Sequence, residues 1–226
     1  MSISLFDVAG PIMVGPSSSH TAGACKIGQI ARALFCGTPT KATFYLHGSF
    51  ATVYQGHATD RALVAGVLKF SPSSPQIKDS FHLAEEKGFR YKFVTTDLGP
   101  EHHPNTVRIV LEKGHKKQSM IGSSIGGGQV KITHINDVPI DLDVSVGRFF
   151  TLLIGHENKA GLLKPLEVQL KEWHCPILEE ETISVGENSL TLLNIDNQSL
   201  RLPQVLVLEK FPGIQFARAL TKLLKY

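Results

Sequence analysis

Residues 15–37 read GPSSSHTAGACKIGQIARALFCG. A Gly-Pro turn leads into three serines, a histidine and a threonine. Apolar residues then recur at helical spacing, Ile27, Ile30, Ala31 and Leu34, and Gly37 is a stop. The spacing predicts an amphipathic helix whose first turn is crowded with hydroxyls. One serine is enough to cap a helix. A helix start also carries unpaired N–H groups and partial positive charge, so a carboxylate or phosphate would sit well there. Ser17, Ser18, Ser19 and Thr21 extend that donor set, and His20 stands among them. An over-rich cap and an anion nest both account for the run at this point.

Working outward, KATFYLHGS (41–49) reads as a strand, with β-prone and aromatic residues at 43–46. A loop holding QGHATD (55–60) leads into a second helix on Leu63, Val64, Val67 and Leu68, with Thr59 or Asp60 as its N-cap. SPSSP (71–75) is a loop, and a helix is expected from about Gln76 to Lys87, ending at Gly88. Four strands follow at 91–95, 106–112, 118–124 and 129–135, with a hairpin turn in EKGHKK (112–117). A boundary falls near 143–148. Beyond it FFTLLIGH (149–156) is a strand, NKAGLLKPLEVQLKEW (158–173) a helix, the region of Ile183 and SLTLLNI (189–195) strands, and GIQFARAL (213–220) a strand. LPQVLVLEKF (202–211) is left open by propensity, being rich in β-branched residues yet patterned like a helix.

The 226 residues suffice for one large domain or two small ones. Hydrophobic content of 42% and charged content of 19% fit a soluble globular protein. A net charge of +3 without a dense basic block gives no support to nucleic-acid binding. The N-terminus lacks the charge and apolar run of a signal peptide, and no apolar run would span a membrane, so a cytoplasmic location is expected. Cys25, Cys36 and Cys175 are odd in number and widely spaced, which predicts neither a disulfide framework nor a metal site on this chain alone.

Two further motifs carry chemistry. In GHATD (56–60), His57 sits in a glycine-flanked loop before a helix, where an imidazole can take a proton near neutral pH; a solvated loop histidine is the plainer reading. In SSIGGG (123–128), consecutive glycines let a backbone approach a ligand and present N–H groups to an anion; a glycine-rich bulge is the plainer reading. The run is neither a P-loop nor a dinucleotide fingerprint.

Taken in order, LFDVAGPIMVGPSSSHTAGA, GSFATVYQGHATD and SIGGGQVKI resemble the β chains of iron–sulfur L-serine dehydratases over roughly residues 2–140. The remainder, from FTLLIGHENKAGLL to FPGIQFARAL, resembles an ACT domain. The resemblance implies an α/β (α+β) chain with two parts. Residues 1–145 would form a β-chain domain like the allosteric substrate-binding domain of phosphoglycerate dehydrogenases. Residues 148–226 would form an ACT-like ferredoxin-type βαββαβ domain, which makes 203–210 a helix.

The family is a carbon–nitrogen lyase that uses a [4Fe–4S] cluster with one iron open to substrate, and no pyridoxal phosphate. Serine is converted to aminoacrylate and then to pyruvate and ammonia. In two-chain versions the cluster cysteines lie on a separate α chain, in a heterodimer or heterotetramer, and the metal call for this chain is none. Carried over by motif, His57 resembles the α-proton base with Thr59 near the substrate. Ser17, Ser18, Ser19, His20 and Thr21 resemble the cradle for serine, and Ser124, Gly126, Gly127 and Gly128 a second wall. Asn158, Gly161 and Leu162 fall where ACT domains bind an effector, although the usual Asp-x-Pro-Gly is here ENKAG with Ala160 in place of proline. Self-association through the ACT-like part is expected. The alternative is a serine-sensing regulatory module without chemistry.

Overall fold

The structure is a computed structural model that describes residues 13–143, 150–196 and 200–219. It is a mixed α/β chain with two sheets, and it divides into two compact units, Met1–Ser145 and Val146–Tyr226. The LFDVAGPI part of the first motif and most of the expected boundary lie outside the described residues.

In the first unit a π turn, Ser18–Gly23, runs directly into helix α1, Ala24–Phe35. Strand β1 (Lys41–Leu46) is followed by helices α2 (Gly48–Val53), α3 (Thr59–Val67) and α4 (Ser80–Glu86), and then by β2 (Arg90–Thr95). β1 and β2 pair in parallel, so the three helices form the crossover that a parallel pair requires. β3 (Thr106–Lys113), β4 (Lys116–Gly126), β5 (Gln129–Ile135) and β6 (Val138–Asp143) complete a sheet of order β2-β1-β3-β4-β5-β6, antiparallel beyond the first pair.

The apolar face of α1 is the predicted one: Ile27, Ile30, Ala31 and Leu34 are all buried. α1 crosses α3 at backbone distance. A Cβ on Gly28 would lie 2.5 Å from the Leu63 carbonyl oxygen, and one on Gly66 2.9 Å from Gly28 Cα, with the Cys25 carbonyl oxygen closer still. Cys25 Sγ and Gln29 Nε2 donate to Phe70 O just beyond α3, which ties its end to α1.

Several elements depart from expectation. The GSFATV run is helix α2, not part of a strand and loop; only Phe50 in it is buried, so no apolar period marks it. Thr59 is the first residue of α3 and not its cap, because Ala58, at φ 55°, makes the turn. The helix expected over 76–87 is split by Asp79 into a 3-10 turn (Pro75–Ile77) and α4. β6 escaped notice, since VPIDLD holds a proline, which suits an edge strand.

The second unit holds β7 (Phe150–Glu157), α5 (Lys164–Glu172), β8 (Ile177–Val185), β9 (Asn188–Ile195), α6 (Leu202–Leu208) and β10 (Ile214–Ala219), in sheet order β10-β7-β9-β8. Leu152, Ile154, Leu193 and Ala217 meet Leu166, Leu170, Val205 and Leu208 in one core. That burial decides the segment left open by propensity. Val205 and Leu208 both enter the core at helical spacing, and Arg201 N–H donates to Gln204 Oε1 at the helix start. α5 starts later than expected, at Lys164, because Asn158 pairs with the tip between β8 and β9 and Gly161 takes a positive φ of 73°.

Helix propensity favours alanine over glycine by about 1 kcal/mol. At position 66 the new methyl would meet main-chain atoms that no rotamer change can move, and overpacking costs about 1–3 kcal/mol or more. Gly66→Ala is therefore expected to destabilise the chain, read as a lower urea midpoint at unchanged slope.

Candidate active site

The two helices that cross at Gly28 and Gly66 both begin at the same place. Ser17 caps the π turn: its Oγ accepts from His20 N–H at 3.0 Å, and its carbonyl accepts from Thr21 and Ala22. The N–H groups of Ser18 and Ser19 are left as donors at the positive end of the helix, beside three serine hydroxyls. The π form widens this first turn, a deviation often found at functional sites.

The GHATD segment closes against it. Thr21 Oγ1 donates to His57 O at 3.0 Å, and the His20 and His57 rings lie 5.0 Å apart between centroids. His57 Nδ1 faces Val53 O at 3.4 Å. A carbonyl only accepts, so Nδ1 carries the hydrogen and Nε2 offers its lone pair. His20 Nε2 meets Ser49 Oγ at 2.9 Å, and the His20 ring stands edge-on to Phe50 at 5.4 Å. Burial, followed by the charge on His57, pulls His20 below the ordinary histidine range. Asp60, in the same motif, gives Oδ1 to Arg61 N–H, and its burial raises its carboxyl above the usual range.

The glycine-rich run supplies the third side. Ser124, at the end of β4, packs against Gly23 of the π turn so closely that a Cβ on Gly23 would overlap its hydroxyl. Gly126, Gly127 and Gly128 all have positive φ, which explains three glycines in succession. Open space lies where Cβ atoms of Gly126 and Gly127 would be. Lys26 Nζ donates to Gly128 O at 2.7 Å and fastens this turn to α1.

The structure thus brings Ser17, Ser18, Ser19, His20, Thr21, His57, Ser124 and Gly128 to one place. Thr59 is fully buried in the first turn of α3. Its Oγ1 and the Ser124 Oγ are buried without a hydrogen-bond partner among the described residues. Asn158, Gly161 and Leu162 belong to the second unit. There Asn158 Nδ2 donates to Gly186 O, and Leu162 packs against Gly213.

Sequence reasoning missed Ser49, Phe50 and Asn105. Asn105 O accepts from Ser124 N–H at 2.9 Å, and Thr106 Oγ1 meets Ser123 Oγ at 2.7 Å, so the HHPNT segment (102–106) braces the glycine-rich run. Ser49 follows β1 in the motif that carried the resemblance, which was the available signal. The histidines set aside as scattered are partly gathered: His47, His102 and His134 form a row with ring separations of 6.3 and 5.8 Å. His134 is held below the ordinary range by burial and then by His102.

The three cysteines are not gathered. Cys25 donates to Phe70 O, and burial pushes its thiol up to about 12; Cys175 donates to Trp173 O. Cys36 sits past the end of α1. Among the described residues no group of three His, Cys, Asp or Glu is placed to hold a metal ion, and no helix is long and apolar enough to cross a membrane.

Residues 4–88 match the family model described as serine dehydratase beta chain. The chain is 44% identical to the L-serine dehydratase, beta chain, of Peptoniphilus asaccharolyticus, over 83% of this chain and 82% of that one. It is 36% identical to the probable L-serine dehydratase, beta chain, of Bacillus subtilis (strain 168), over 85% and 87%.

Two outcomes follow from the geometry. An unpaired buried hydroxyl costs about 1–3 kcal/mol. Ser124→Ala and Thr59→Val are therefore expected to leave the urea midpoint unchanged or raised, whatever they do to ligand binding. His20 and His134 both titrate below the model value of 6.5 in the folded chain, so the unfolded chain binds more protons as pH falls through that value. Stability is expected to drop between about pH 6.5 and the lower folded values, and replacing both histidines with asparagine should flatten that limb of a stability–pH curve.

Proposed function

The chain belongs to the family of L-serine dehydratase β chains, and from that premise we propose that it supplies the serine cradle and the α-proton base of a two-chain L-serine ammonia-lyase. The observation that carries this reading is the convergence of three sequence-distant motifs, with His20 and His57 5.0 Å apart beside buried hydroxyls that have no partner of their own.

Each group has a chemical task. The serine carboxylate is bound by the Ser18 and Ser19 N–H groups and the hydroxyls of the π turn, at the positive end of α1. Ser124 and Thr59 use their orphan hydroxyls on the bound amino acid, and the main chain of Gly126–Gly128 closes over it. His57 takes the α-proton at Nε2, and the electron pair of the broken C–H bond stays on Cα. Loss of the β-hydroxyl then gives aminoacrylate, which hydrolyses to pyruvate and ammonia. The α-proton is weakly acidic, so base placement and stabilisation of the developing charge must both contribute.

The [4Fe–4S] cluster of the family does not fit this chain's own residues. Cys25 is a buried, protonated thiol committed to Phe70 O, and the other two thiols stand elsewhere in the fold. The proposal places the cluster on a partner α chain in a heterodimer or heterotetramer, with no pyridoxal phosphate and a cytoplasmic setting. The second unit's β-α-β-β-α-β order supports an ACT-like regulatory role and pairing between copies. Its effector segment is 157–162, where Asn158, already bonded to Gly186 O, would present its remaining polar atoms.

The test is an anaerobic assay of pyruvate from L-serine, with this chain alone and with a cysteine-bearing α chain plus iron and sulfide. Activity is expected only in the mixture, and His57→Ala is expected to lower kcat by roughly a hundredfold or more. Full activity of that variant would refute the base assignment. Serine binding with no activity in either preparation would leave a serine sensor.

A further inference from the structure

His20 is the best-tethered side chain of the site, and nothing in the proposed reaction yet uses its ring. Its main-chain N–H donates to Ser17 Oγ at 3.0 Å, and its Nδ1 lies 3.5 Å from the same oxygen. Ser17 Oγ is thus already an acceptor on that side, which places the ring hydrogen on Nδ1. Nε2 then holds a lone pair, and Ser49 Oγ, 2.9 Å away, can fill it only by donating. Ser49 itself is fixed in the first turn of α2, where its carbonyl accepts from Thr52 Oγ1, and the adjacent Phe50 meets the imidazole edge-on.

Across from this ring stands His57, whose Nε2 is the open lone pair. Two imidazolium rings 5.0 Å apart repel, so the pair holds one proton readily and a second with difficulty. His57 is the titratable neighbour whose charge bears on His20, and neither ring has a carboxylate in ion-pair contact among the described residues. A proton taken up by His20 would therefore oppose proton transfer to His57.

We propose that Ser49 is a positioning residue for the proton transfer: its hydroxyl occupies His20 Nε2, keeps that imidazole neutral as the Nδ1–H tautomer, and so reserves the single proton of the pair for His57 Nε2. The proposal rests on the reading of His57 as the α-proton base. Its physical core, a tautomer fixed by Ser49, stands apart from catalysis and is measured apart from it.

The experiment uses the full chain labelled with ¹⁵N in its histidine rings, titrated between about pH 5 and 9, as wild type, Ser49→Ala and Ser49→Thr. In the wild type His20 is expected to show a bare Nε2 and a protonated Nδ1 throughout the upper range. In Ser49→Ala the tautomers of His20 mix and the ring takes up a proton at higher pH than in the wild type. Ser49→Thr, which keeps the hydroxyl, restores the wild-type pattern. A wild-type His20 with its hydrogen on Nε2, or no change in Ser49→Ala, overturns the proposal.

In the two-chain enzyme, Ser49→Ala is expected to lower kcat roughly ten- to hundredfold with KM little changed, and to move the acid limb of the rate–pH profile upward. An unshifted acid limb at reduced kcat would mean a merely structural role and also overturns it. If His57→Ala stays active while the His20 tautomer still depends on Ser49, the base reading has failed and the tautomer assignment has not.

Discussion

The site depends on a single steric constraint, the backbone contact of α1 and α3 at Gly28 and Gly66. Helices that meet through large side chains keep their axes about 8–10 Å apart. Here the missing side chains bring main chain against main chain, and the donors Cys25 and Gln29 hold the far end of α3 at Phe70 O. Each helix is entered from one of the motifs, so a close crossing at mid-helix sets a close spacing at the two starts. The Thr21–His57 hydrogen bond and the 5.0 Å imidazole pair are consequences of that spacing.

Around this crossing the chemistry is divided between elements. The π turn provides hydroxyls and open N–H groups for an anion, and the turn before α3 provides a histidine whose hydrogen is fixed on Nδ1. The β4–β5 turn provides main chain that only glycine could shape, held down by Lys26. Two hydroxyls remain buried without partners. Native interiors seldom tolerate that, because each such group costs more than a typical hydrogen bond returns. An amino acid with a carboxylate, an ammonium group and a hydroxyl has polar atoms enough to satisfy them.

Much of this was legible in the sequence, and the misses have physical causes. α1 was read from Ile27, Ile30 and Leu34 because its buried face repeats every turn. The three motifs could be named because their residue types, serine, histidine and glycine, carry chemistry as well as shape. α2 was missed because a six-residue helix with one buried side chain has no period to detect. Ser49 went unremarked with it, since a serine becomes informative only once Nε2 of a distant histidine is seen against it. The Gly28–Gly66 contact joins residues 38 positions apart, and a lone glycine in a helix looks like a flaw until its partner is placed. In the second unit the composition of residues 202–211 pointed to a strand, and burial of Val205 and Leu208 on one face overrode it.

The central claim is that the three motifs form one serine site, and the most direct measurement is residue-resolved NMR of the labelled full chain, joined to its α chain, during titration with L-serine under anaerobic conditions. The account predicts that signals of Ser17–Thr21, His57, Thr59 and Ser124–Gly128 shift together along a single binding curve. Shifts confined to residues 157–162, with the three motifs silent, would contradict it and place serine in the second unit as a regulator.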